Sequence, residues 1–293
     1  MVLVVSSAVA LQLIGITPAS AVTGIKKITV ASPTDSQSPK TATAFCPTGK
    51  RVIGGGGWVF AVNAADGNKV ALTGLQPIHP IVAGLDDRYE ATGAETGAGI
   101  VTNWSLQVYA ICADASGLPG YEIRYAATQP SSNSVQAAQA VCLGGTRVLG
   151  TGGKIATASN QNPAGQVVLQ VARASATGDI ARVQAHEDAD GYNGTWFVQS
   201  YAVCVNPPSG YEVVQAASPQ TASESEKLAY ADCPGTKRVH GAGAAIANTA
   251  PGNVSLQVIY PFEDLKTVEA FAVENTATSA DWDFIVAQAI CAY

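Results

Sequence analysis

Few side chains in this 293-residue chain could do chemistry, and their types and spacing limit what that chemistry would be. His79, His186 and His240 are the only imidazoles available as a general base. None belongs to a nucleophile motif such as Gly-x-Ser-x-Gly, so a Ser-His-Asp hydrolase would need its serine brought from elsewhere. The densest run of ligand-type residues is His186-Glu187-Asp188-Ala189-Asp190-Gly191-Tyr192-Asn193-Gly194. Asp188, Asp190 and Asn193 could hold calcium, but their order is not that of an EF-hand. Asp-Gly and Asn-Gly are ordinary turn dipeptides, so a plain loop is favoured. Glu95, Glu187 and Glu274 recur at matched places, as do Arg51, Arg147 and Arg238. Threefold repetition suits a structural ion pair better than an active site, and a single recurring glutamate makes no catalytic carboxylate pair. The glycine runs lack the Gly-Lys-Ser/Thr and the following helix of a phosphate loop. The expectation is therefore no catalytic residue and no cofactor.

Binding is a better use of what remains. Tyr109 and Tyr201 occupy the same place in two repeats, with Gln288 in the third. Together with Trp58 they are the candidates for stacking on sugar rings, set against the commoner role of aromatic residues in finishing a core. Trp104, Trp196 and Trp282 are assigned to the core.

The elements that must position these residues are written three times. Cys46-Pro47-Thr48-Gly49-Lys50-Arg51-Val52-Ile53-Gly54-Gly55-Gly56-Gly57 returns as Cys142-Leu143-Gly144-Gly145-Thr146-Arg147-Val148-Leu149-Gly150-Thr151-Gly152-Gly153 and as Cys233-Pro234-Gly235-Thr236-Lys237-Arg238-Val239-His240-Gly241-Ala242-Gly243. Each copy is answered by an aromatic segment ending in cysteine, Trp104 to Cys112, Trp196 to Cys204 and Trp282 to Cys291. The units run over 24–119, 120–209 and 210–293, with turn-rich joints at 115–120 and 206–210. Alternating segments such as Trp196-Phe197-Val198-Gln199-Ser200-Tyr201 read as half-buried strands, and no 3.6-residue period is sustained. The expectation is an all-β chain of three homologous five-stranded units. In each, a first strand (25–30, 121–126, 211–216) is followed by a Ser/Thr/Pro-rich turn and then by the Cys-to-Gly block.

Six cysteines without a CxxC fit disulfides better than a metal site. Pairing that respects the repeat joins Cys46 to Cys112, Cys142 to Cys204 and Cys233 to Cys291, or else links each unit to the next; the first is preferred. If Cys46 and Cys112 bridge adjacent antiparallel strands, Trp104 falls opposite Gly54 and Arg51 opposite Gln107. The same rule sets Trp196 opposite Gly150 and Arg147 opposite Gln199, with Trp282 opposite Ala242 and a bulge to absorb an extra residue.

Composition sets the surroundings. Charged residues are 13% of the chain and the net charge is -6, with only 16 Lys and Arg, which argues against nucleic acid. The apolar run from Val2 to Ile16, Pro18 and Ala19-Ser20-Ala21 suggest a signal peptide over 1–21, although no basic residue precedes Lys26. That run is shorter than the roughly 20 apolar residues that cross a bilayer. The expectation is a secreted protein with no membrane insertion of the mature chain.

The Cys-Pro-x-Gly-x-Arg-Val-x-Gly-x-Gly block with its answering Trp-x-x-x-x-Tyr-Ala-x-Cys strand resembles a module of secreted actinobacterial proteins. Similar modules stand at the ends of collagen-like and phage tail-fibre chains. The resemblance covers all three units and implies a small disulfide-closed β module, in some contexts a trimer-forming head, with no catalytic residues to carry over. Three units in one chain would mimic such a trimer about a pseudo-threefold axis. Taken together, these features favour a secreted non-catalytic protein that binds a glycan or cell-wall polymer through weak repeated sites. The alternatives are a cell-surface assembly protein that binds other proteins, and a secreted hydrolase with a site in one unit.

Overall fold

Nearly all of the described chain is strand: residues 135–141 and 226–232 alternate strictly between buried and exposed side chains, whereas 50–61, 147–157 and 238–247 are buried along most of their length. A computed structural model describes residues 19–293 apart from 83, 98, 158–162, 164, 221–223, 248–251 and 276–281. The apolar run from Val2 to Ile16 and Pro18 lie outside the described residues. Among the described residues, no helix is long and apolar enough to cross a membrane.

The first unit supplies β1 (Lys26–Ala31), β2 (Lys40–Phe45), β3 (Lys50–Ala61), β4 (Val70–Ile78), β5 (Arg88–Glu95) and β6 (Trp104–Asp114). The second supplies β7 (Glu122–Ala127), β8 (Val135–Val141), β9 (Arg147–Thr157), β10 (Val167–Ala174), β11 (Ile180–Glu187) and β12 (Trp196–Val205). The third supplies β13 (Glu212–Ala217), β14 (Glu226–Asp232), β15 (Arg238–Ala247), β16 (Val254–Pro261), β17 (Thr267–Glu274) and β18 (Phe284–Ala292). There are thus six strands per unit rather than five. The addition is β2, β8 and β14, which lie in the stretch expected to be a turn. Their inward positions hold alanine, as at Ala42, Ala44, Ala138, Ala140, Ala229 and Ala231, where a β-branched or aromatic residue would have marked a strand.

The eighteen strands form three antiparallel six-stranded sheets, and each sheet is shared between two units. Sheet I has the order β1-β6-β3-β16-β17-β14, sheet II β7-β12-β9-β4-β5-β2, and sheet III β13-β18-β15-β10-β11-β8. Each unit therefore contributes its first, sixth and third strands to one sheet and its fourth, fifth and second to another. The pattern closes on itself after three steps, which is the pseudo-threefold arrangement. The sheets are open, and each seam between units is short: Trp58 and Gly57 face Val258 and Ile259, Lys154 and Gly153 face Gly74 and Leu75, and Ala245 and Ala244 face Val171 and Ala172.

The glycine runs serve this closure. β3, β9 and β15 carry bulges at Ile53, Leu149 and His240, and the following glycines, Gly54, Gly150 and Gly241, meet across the axis. A methyl group on Gly54 would strike the carbonyl oxygen of His240, one on Gly150 that of Ile53, and one on Gly241 that of Leu149. Only a residue without a side chain lets three backbones approach so closely. Ile53, Leu149 and His240 themselves are fully buried.

Disulfides join Cys46 to Cys112, Cys142 to Cys204 and Cys233 to Cys291, with Cα atoms 5.6–5.7 Å apart. They do not bridge neighbouring strands. Cys46 follows β2 in sheet II while Cys112 lies on β6 in sheet I, so the bond crosses between sheets. The expected register fails for this reason. Trp104 stands opposite Ala61 and Trp196 opposite Thr157, Trp282 precedes β18, and Arg51 and Arg147 stand opposite Ala113 and Val205. Gln107 and Gln199 face Trp58 and Lys154 instead.

Candidate functional site

The outer face of sheet I carries a run of aromatic rings. Gly57, Val59 and Ala61 of β3 point into the first unit, where a Cβ on Gly57 would touch Leu72, Leu75 and Ala91. Period-two alternation then sends Trp58 and Phe60 outward. β16 and the residues after it add Tyr260 and Phe262, and β14 adds Tyr230. Ring centroids follow one another at 6.4 Å from Phe60 to Trp58, 5.8 Å to Tyr260, 5.2 Å to Phe262 and 6.1 Å to Tyr230. Phe60 and Tyr230 are 53% and 46% exposed, and the three rings between them are half-buried.

Beneath this run lies Tyr109, 4.8 Å from the Tyr260 ring and only 1% exposed. The Lys27 ammonium sits 4.6 Å from the centroid of Tyr109 and 4.2 Å from that of Tyr260, and pairs with Glu263 at 2.5 Å. Burial lowers the Lys27 pKa, opposed by the Glu263 hydrogen bond and charge. Burial also raises the Tyr109 phenol, which donates to Gln107 Oε1 at 2.7 Å. Tyr109 is thus the floor of the aromatic face rather than its surface. Tyr201 is likewise buried, in sheet II, with its ring 6.4 Å from that of Tyr125.

The equivalent grid on the other sheets is not aromatic. Counted from the bulges of β3, β9 and β15, Lys154 and Ala245 stand where sheet I has Trp58; counted from further bulges at Thr73 of β4, Gln170 of β10 and Gln257 of β16, Gln76 and Arg173 stand where it has Tyr260. Among the described residues the run of rings is therefore peculiar to sheet I, and its threefold counterparts carry other side chains. Phe60, Tyr230, Tyr260 and Phe262 are not legible in the sequence as one group because they come from two units and are brought together by the shared sheet. The pairs Trp58/Phe60 and Tyr260/Phe262, each aromatic at alternate positions, were the available signal.

The residues considered for catalysis lie apart from one another. His79 Nδ1 is 2.7 Å from Asp87 Oδ1, and Arg51 Nη1 reaches the same oxygen at 3.1 Å. Asp87 Oδ2 accepts the Val52 amide at 3.0 Å and lies 3.0 Å from the Tyr121 hydroxyl. In the other two units main-chain carbonyls of Gly178 and Leu265 receive the equivalent amides of Val148 and Val239, each at 2.7 Å. The Asp87 carboxylate thus stands in for a backbone acceptor and clasps the bulge. His186 is buried with Nε2 2.6 Å from the Gln184 amide, and His240 is buried at the axis with Nδ1 2.8 Å from the Arg238 carbonyl. Burial depresses both imidazole pKa values to about 4.

Asp188 Oδ1 accepts the Gly191 amide at 3.1 Å, so it shapes the turn that carries Asp190 and Asn193. Burial, then the neighbouring Asp190 charge, raises its carboxyl. Among the described residues, no three His, Cys, Asp or Glu side chains gather closely enough to hold a metal ion. The recurring arginines and glutamates do not pair as expected. Glu95 and Glu187 accept the indole N–H of Trp104 and Trp196 at 3.0 and 2.8 Å, and Trp282 donates to the Glu224 carbonyl at 2.9 Å. Arg51 turns to Asp87, and Arg147 to the Gly145 and Thr146 carbonyls. In comparison with known proteins, no family model matches the chain and no curated protein matches it.

Proposed function

We propose that the chain is a secreted, non-catalytic binding protein whose aromatic face on sheet I takes a carbohydrate or cell-wall polymer. The observation that carries this reading is the unbroken run of five rings from Phe60 to Tyr230 across a seam between two units. A soluble protein seldom leaves so many large apolar groups together on its surface without a use. Gln107 and Glu269 point from the same face, by their register with Trp58 and Tyr260, and Glu263 lies beside it. Flat rings interleaved with hydrogen-bonding groups suit a sugar, which offers apolar C–H faces and equatorial hydroxyls together. A run of five rings in sequence along one face favours an extended polymer over a small molecule. Three disulfides and the composition of the first residues support export.

The test is binding of the oxidised protein to chitin, cellulose, peptidoglycan and soluble glycans, with Trp58→Ala and Tyr260→Ala beside the parent chain. Saturable binding to one polymer is expected, weakened by at least ~10-fold (about 1.4 kcal/mol) in Trp58→Ala. The sheet II variant Thr41→Ala, at an exposed position of β2, should bind as the parent does. No binding across the panel, or binding indifferent to Trp58 and Tyr260, removes this reading and leaves protein partners for the same face.

A further inference from the structure

Sheet III carries an unusual pair of charges at a place where the other sheets are ordinary. The register pair on the fourth and fifth strands of each unit is Tyr260 with Glu269 in sheet I, Gln76 with Glu90 in sheet II, and Arg173 with Arg182 in sheet III. Like charges directly opposite one another on antiparallel strands repel. In sheet II the charge of Glu90 is answered by Arg88 Nε at 3.0 Å. Among the described residues, no carboxylate lies within ion-pair distance of Arg173 or Arg182.

Among the described residues, the only side-chain hydrogen bond to this pair is Arg173 Nη1 to Gln215 Oε1, at a long 3.4 Å. Asp179, in the turn between the two strands, is turned away to the Ser175 hydroxyl at 2.7 Å. Arg173 is half-buried and Arg182 exposed, and both line an open cavity of about 360 Å³ together with Gln215, Ser175 and Thr177. Burial and the Arg182 charge hold the Arg173 guanidinium below its ordinary pKa, and no acid opposes them. In a chain of net charge -6, two uncompensated guanidiniums side by side are a local positive site.

We propose that Arg173 and Arg182 form an oxyanion-binding site, in which a carboxylate, sulfate or phosphate group sits between the two guanidiniums. Planar guanidinium forks match the oxygens of such groups, and one bound anion would neutralise the repulsion that the strands otherwise carry. Gln215, whose side chain meets that of Arg173 across the face of the sheet from the edge strand β13, is placed to donate a further hydrogen bond. The anion could be a free ion or a group on an acidic polysaccharide, since both present the same oxygens. The site is on a different sheet from the aromatic face and stands whether or not that face binds sugar.

Thermal unfolding of the full chain in increasing sodium sulfate tests this, with sodium chloride at matched ionic strength. Sulfate stabilises most proteins by exclusion from their surface, so the comparison is with Arg173→Gln/Arg182→Gln. The sulfate-dependent rise in Tm should at least halve in the double variant. Arg182→Glu, which installs the residue type found at Glu90 and Glu269, should unfold at a higher temperature than the parent in low salt and lose the sulfate-specific response. Equal sulfate responses in all three proteins overturn the proposal. Affinity electrophoresis in polygalacturonate separates the two sources. Retardation of the parent but not of the double variant identifies a polymer-borne carboxylate, and a sulfate response without retardation identifies a free ion.

Discussion

At the axis, three equivalent residues show how much one side chain can alter. Ile53, Leu149 and His240 are the bulge residues of β3, β9 and β15, all fully buried, and two of them are aliphatic. His240 keeps Nδ1 on the Arg238 carbonyl, but Nε2 has no partner among the described residues. Burial first, and then the Arg238 charge, depress its pKa from 6.5 to about 4, against the raising effect of the carbonyl bond. The folded chain thus holds His240 neutral, while the unfolded chain protonates it near pH 6.5. Its contribution to stability is present above pH 6.5 and is lost as the pH falls towards 4. The full shift amounts to about 3 kcal/mol. His240→Leu, which copies Leu149, should leave stability at pH 8 equal or higher and flatten its decline between pH 6.5 and 4. Urea unfolding of both proteins across that range measures this, and identical pH profiles would show that His240 does not set the decline.

At the scale of the element, the disulfides tie sheets rather than strands. Cys46–Cys112 joins sheet II to sheet I, Cys142–Cys204 joins III to II, and Cys233–Cys291 joins I to III. Replacing Cys46 and Cys112 by serine releases a loop closed over a sequence separation of 66 residues. In the chain-entropy model this costs about 4 kcal/mol. Denaturant unfolding should show that loss in the double variant with the other two bonds intact, and a loss near zero would mean that packing alone holds the two sheets. The pairing was legible in the sequence because the repeat left few consistent partners. The strands it bridges were not legible. Period-two alternation identifies a strand without saying which sheet it joins, and β2, β8 and β14 hid their alternation behind alanine. Trp104 and Trp196 are recognisable as core residues, but the sequence pattern pairs Glu95 and Glu187 with arginines rather than with the indoles they bind. A recurring position shows that a residue matters to the repeat, and carries no information about its partner.

At the scale of the whole molecule, sharing every sheet between two units has a consequence for folding. Residues 120–209 contain only the halves β7-β12-β9 of sheet II and β10-β11-β8 of sheet III. Alone, this segment would expose the seam edges of β9 and β10, which pair in the full chain with β4 and β15. It would also expose Leu149 and the glycines that the axis now covers, and open edges flanked by apolar surface drive association. The same geometry offers a remedy, since three copies could complete one another as the three units do here. Gly150 would then meet the Leu149 carbonyl of a neighbour as it now meets that of Ile53. Residues 120–209, expressed alone with Cys142–Cys204 formed, should therefore be unfolded at low concentration and become β-structured only as they trimerise. Sedimentation equilibrium with circular dichroism across a concentration series decides the matter: a folded monomer would mean that each unit is a domain in its own right, whereas order appearing only with the trimer would make the ring of shared sheets the true folding unit.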